Sequence, residues 1–156
     1  MFCDLVNNMV LMAGALAWFI GQFLKFPLEY LLNKQWKWGV LISSGGMPSS
    51  HSALVTAVSL SIGLQEGFNS PLFALAAALA VIVVYDAAGV RRQAGIHAQR
   101  INALMQTFLE SHQVPEKELK EVLGHTPFEV IAGVLLGILI SLLLYWAMPV
   151  SPAKGC

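Results

Sequence analysis

Apolar residues fill four stretches of this chain, at roughly 9–24, 53–64, 71–85 and 128–148, with the charged residues gathered between them. Each stretch predicts a helix, because backbone facing lipid must satisfy its own hydrogen bonds. The expected helices cover roughly 8–26, 50–66, 71–89 and 127–148. The middle two are short for a hydrocarbon core of about 30 Å at about 1.5 Å per residue. Their ends are therefore expected in a recess lined by protein, which suits a buried polar site. Between the third and fourth helices, Ile101, Leu104, Met105, Phe108 and Leu109 form an amphipathic stripe. It predicts a cytoplasmic helical insertion over roughly 96–124, lying on the bilayer or packed over the site, with Pro115 marking a break before the charged EKELKE run. The expected fold class is thus all-α: an integral membrane helical bundle with about four transmembrane helices, in a single membrane domain over 1–156.

Composition agrees, since the 156 residues are 56% hydrophobic and only 12% charged, with a mean hydropathy of +0.66. The N-terminal MFCDLVNNMV lacks a basic region, so the first helix is expected to be a retained anchor and not a cleaved signal. Cys3 and Cys156 have no metal or redox spacing. Orientation follows from the basic residues. Lys25, Lys34, Lys37, Arg91, Arg92, Arg100, Lys117 and Lys120 fall in the connections at one membrane face, against Lys154 at the other. The positive-inside rule puts that face in the cytoplasm and both termini on the opposite side.

The most informative motif is GGMPSSHSA, at 45–53, which opens the second helix. A helix start carries unpaired amides and the positive dipole end, so it attracts an oxyanion. Ser49 and Ser50 add hydroxyl donors, and His51 carries a proton near neutral pH. The plainer reading is an N-cap serine followed by a polar interfacial histidine. At the exit of helix three, in YDAAGVRRQAG, Asp86 stands at the end of an apolar run, where a charge is costly. Arg91 and Arg92 follow, either to neutralise Asp86 or to grip a phosphate with their planar donor forks. At the entry to helix four, GHTPFEVIAG spaces His125 and Glu129 four apart, so a carboxylate can orient an imidazole. Thr126, Pro127 and Glu129 also fit a capping box, which explains three of these residues without chemistry.

Together these segments resemble the type 2 phosphatidic acid phosphatases, which share a fold with the vanadium haloperoxidases, and in particular their short divergent membrane branch. The resemblance covers roughly 25–137. The family pattern has a Pro-Ser-Gly-His element, a Ser-Arg element, and a His, three residues, Asp element often followed by Val-x-Ala-Gly. Here the matches are PSSH at 48–51, VRR at 90–92 and HTPFEVIAG at 125–133. The resemblance implies that His125 is the nucleophile with Glu129 as its orienting carboxylate, that His51 is the general acid, and that Arg91 or Arg92 holds phosphate oxygens. Ser50 replaces the family's glycine and Glu129 its aspartate, more than thirty residues separate Arg92 from His125, and no Arg-Pro dipeptide occurs. Lys25, with Gln22 one turn before it, is the substitute for the family's lysine, or else a snorkelling residue at a helix end. A second register, Arg91, five residues, then His97, makes His97 the alternative nucleophile. AQRIN follows His97, however, without a carboxylate or an apolar helix, so His125 is preferred.

The function expected is a metal-independent phosphatase or phosphotransferase for a membrane lipid phosphate monoester or pyrophosphate. Lys25, Ser49, Ser50, Arg91 and Arg92 would bind the phosphate, with Asp86 and Gln22 supporting them. No cofactor is expected, and vanadate or phosphate should occupy the pocket. One alternative is a non-catalytic lipid-phosphate binder or transporter, which the missing Arg-Pro element favours. The other is a metal site at His51, Asp86, His125 and Glu129, which lack compact metal spacing. Gly133, Gly137 and Ser141 form a small-residue stripe that favours close packing within the bundle or in a homo-oligomer. No nucleic-acid motif is present.

Overall fold

The computed structural model describes residues 7–34, 46–109 and 124–148. Among them the chain forms five α-helices and no strand: α1 Met9–Asn33, α2 Ser50–Glu66, α3 Pro71–Ala88, α4 Val90–Leu109 and α5 Pro127–Ala147. Lys37, Lys117, Lys120, Lys154, both cysteines and the EKELKE run lie outside the described residues.

The helix starts are capped by side chains the sequence supplies. Asn8 Oδ1 accepts the Leu11 amide at 3.1 Å, and Ser70 Oγ accepts the Phe73 amide at 3.2 Å with Pro71 in the first turn. α1 runs to Asn33, beyond the expected end near residue 26. Pro27 is tolerated inside it because it removes one backbone bond and strong helix formers follow. Gly89 (φ −106°, ψ −83°) ends α3, and α4 restarts at once, earlier than the expected residue 96, because Arg91, Arg92, Gln93 and Ala94 all favour helix.

Helices within Met9–Leu31, Pro71–Met105 and Pro127–Ala147 are long and apolar enough to cross a membrane. α2, at 17 residues, is the exception: at about 1.5 Å per residue it covers only about 25 Å. It packs against α1, α3 and α5 at once, α1 also touches α5, and among the described residues α4 packs against α3 alone. Polarity runs opposite to that of a soluble protein. Buried positions are Ala13, Ala17, Ala53, Ala57 and several serines, whereas Leu75, Val81, Ile131 and Leu135 are more than half exposed. Small residues inside and large apolar residues outside are what a helical bundle in lipid requires.

The stripe on α5 lies within the bundle, against α2. A Cβ on Gly133 would collide with the Ser49 carbonyl oxygen, and one on Gly137 would fall 2.5 Å from the Ala53 oxygen. Farther along, Ser141 Oγ donates to the Ala57 carbonyl at 2.8 Å and so accepts from Ser61 Oγ at 2.6 Å. Ser141→Ala should lower stability by about 0.6–1.7 kcal/mol, the range for interhelical hydrogen bonds in a membrane. Unfolding of the detergent-purified protein by a denaturing detergent would measure it.

Candidate active site at the buried start of α2

The starts of α2 and α5 meet against the middle of α1. The chain enters through Gly46, whose φ of +88° suits glycine, and a cis Met47–Pro48 peptide. Ser49 is the N-cap: its Oγ accepts the Ser52 amide at 3.3 Å and shares a hydrogen bond with Ser52 Oγ at 2.9 Å. Its own amide donates to the Glu129 carbonyl at 2.9 Å, tying the start of α2 to the first turn of α5. On the other flank, a Cβ on Gly21 of α1 would lie 3.2 Å from Ser50 Cα. Glycine therefore lets α1 and α5 approach this turn as closely as backbone allows. One turn beyond Gly21 lies Lys25; one and two turns before Gly133 lie Glu129 and His125. Helical spacing aims Lys25 and Glu129 at the same turn, and His125, just before the N-cap Thr126, is held to Glu129 by its own contact.

Burial matches that placement. Lys25 and Ser50 are 1% exposed, His125 4%, and Ser49 and Ser52 fully buried. His125 Nδ1 lies 2.9 Å from Glu129 Oε2, which also accepts the Thr126 amide at 3.1 Å, while Thr126 Oγ1 accepts the Glu129 amide at 3.4 Å. The capping box and the histidine–carboxylate pair are thus one arrangement, built on one oxygen. An ionised carboxylate only accepts, so the proton of a neutral imidazole belongs on Nδ1 and the lone pair on buried Nε2. Lys25 adds a positive charge that interacts with the Glu129 carboxylate.

The other sequence-selected residues are less deeply buried where their side chains are described. His51, at the second position of α2, is exposed. Gln22 and Asp86 are half-buried, the first close to Lys25 on α1 and the second near the end of α3. Arg92 is exposed in the first turn of α4; Arg91 occupies the same turn, and its side chain lies outside the described part. His97 is exposed on α4, apart from the buried group. Among the described residues no three His, Cys, Asp or Glu side chains gather to hold a metal ion. Two participants went unread in the sequence, Gly21 and Ser52. Gly21 carried a signal: a small residue one turn before the lysine, amid larger apolar ones.

The model of a family described as "Divergent PAP2 family" matches residues 6–140. An uncharacterised membrane protein, YuiD of Bacillus subtilis (strain 168), is 42% identical over 152 residues, covering 90% of this chain and 96% of the relative. No solved structure matches.

Proposed function

The chain belongs to the divergent PAP2 family of membrane proteins, and from that premise we propose that it is a metal-independent phosphatase or phosphotransferase acting on a membrane lipid phosphate. The observation that carries the proposal is the buried His125, oriented through Nδ1 by Glu129, beside a buried lysine and a serine-rich helix start. In the first step the Nε2 lone pair attacks phosphorus, the bond to the leaving oxygen breaks, and that oxygen takes a proton from His51. In the second, His51 removes a proton from water, the oxygen attacks phosphorus, and the P–N bond breaks to release inorganic phosphate and restore His125. An alcohol in place of water makes the same cycle a transferase. Lys25, the arginines and the first-turn amides of α2 offset charge on the transferring group. The excess of basic residues at this end supports a cytoplasmic site, with both termini on the other side.

A lipid-phosphate binder or transporter without turnover is the competing reading. It is favoured by Arg92, which stays exposed instead of joining Lys25 in the buried cluster. Phosphate release by the purified protein across a panel of lipid monophosphates and diphosphates, with and without chelator, separates the two. Release that survives chelation is the expected result. Orthovanadate should also raise the melting temperature, since a ligand at about 100 times its Kd stabilises by about 2.7 kcal/mol. Anion binding with no release from any lipid would establish the binder. Flat melting curves up to millimolar vanadate would remove both.

A further inference from the structure

Ser49 and Ser50 are equivalent in the sequence but not in the structure. All three polar groups of Ser49 are engaged, the hydroxyl with Ser52, the amide with the Glu129 carbonyl and the carbonyl with the Ala53 amide. Ser50 Oγ is buried and makes no hydrogen bond, although the residue is only 1% exposed. A buried hydroxyl without a partner costs about 1–3 kcal/mol, and native structures rarely leave one without a reason. Its surroundings supply the reason. Ser50 sits on the α1 seam at Gly21, where a Cβ would fall 3.4 Å from Ser50 Cβ, and Lys25 lies one turn farther on. It is also the first residue of α2, where amides face out from the positive end of the helix. A hydroxyl donor, an ammonium group and helix-start amides share one preferred ligand, a compact oxyanion.

We propose that the Ser50 hydroxyl donates to an oxygen of the bound phosphoryl group, while Ser49, given over to capping, does not. The position that the family's pattern fills with glycine is in this chain a side-chain ligand. The ligand class is a terminal tetrahedral oxyanion, the phosphoryl end of a phosphate ester, for which orthovanadate and inorganic phosphate serve as probes. This inference rests on the phosphate-site reading above.

The test is calorimetric titration of the full chain in detergent with orthovanadate. Ser50→Ala and Ser50→Gly should each weaken binding by about tenfold or more, the size of a lost hydrogen bond to a charged group. Ser50→Ala should melt no lower than the unmodified protein, because it removes a hydroxyl that has no partner in the fold, whereas Ser50→Gly also gives up helix propensity and should melt somewhat lower. Ser49→Ala should do the reverse, lowering the melting temperature more than the affinity. Unchanged vanadate affinity in Ser50→Gly would overturn the inference while leaving the phosphatase reading intact, as would loss of affinity in Ser49→Ala alone. Should Ser50→Ala fail to fold, Ser50→Gly, which restores the residue of the family's pattern, decides the matter. No vanadate binding by the unmodified protein would overturn this inference together with the reading it rests on.

Discussion

His125→Ala should abolish phosphate release while leaving vanadate binding measurable. The reasoning separates two functions within one pocket. On the proposed mechanism, anion affinity comes from Lys25, Ser50, the amides of α2 and the arginines, none of which this substitution touches. The P–N bond of that mechanism needs the Nε2 lone pair of His125, which the substitution removes. Single-turnover assays on a lipid phosphate should therefore fall to background, with vanadate titrations showing a change in affinity much smaller than the change in rate. His97→Ala, on the exposed face of α4, should retain most of the activity. Glu129→Gln belongs between them. The amide keeps an acceptor for the Thr126 N–H and for Nδ1 but loses the charge that favours a developing imidazolium. Its rate should fall by about 100-fold to 10,000-fold, the span of a general acid or base contribution. A phosphohistidine trapped on His97 would reverse the assignment of the nucleophile.

Gly133→Val is expected to be the most damaging single change to the fold. Even one methyl group at this position collides with the Ser49 carbonyl oxygen and comes within 3.1 Å of Ser52 Cβ. Backbone cannot rotate away as a side chain can, so α5 must shift off α2. Overpacking of this kind costs about 1–3 kcal/mol where side chains can yield, and this site lies at the upper end or beyond. The same shift would break the Ser49 to Glu129 backbone bond and carry His125 away from Lys25. Loss of the folded monodisperse species, or a large fall in melting temperature together with lost vanadate binding, is the expected outcome. A normally melting Gly133→Val protein would mean that α5 does not approach α2 as described. Gly137, facing the Ala53 oxygen and Thr56, predicts a similar but smaller effect, because it lies a turn farther from the site.

Much of this architecture was legible in the residues. Apolar runs located α2, α3 and α5 to within a residue or two, since lipid leaves a helix few places to end other than at a cap, a proline or a glycine. The end of α1 was misplaced because Pro27 resembles a stop, and in a membrane helix it is not. The start of α4 was misplaced because Gly89 resembles the head of a loop and is only a break between two helices. In the site, the spacing of His125 and Glu129 anticipated their pairing, although His125 stands just ahead of the N-cap and reaches the carboxylate from outside the helix. The division of labour between Ser49 and Ser50 could not be anticipated. Adjacent serines have the same chemistry until packing engages one hydroxyl as a cap and leaves the other against a neighbouring helix, here α1.

The hydrogen bond from the Ser49 amide to the Glu129 carbonyl joins segments separated by about half of the chain, and this has a consequence for synthesis. While the chain is being made, α1 through α4 enter the membrane carrying the lysine, the serines and the arginines. The imidazole and its carboxylate arrive only with α5. Under the proposed mechanism, a nascent protein thus docks α2 against α1 before it holds its nucleophile. Insertion of the last helix completes the bundle and, on that mechanism, arms it in the same event.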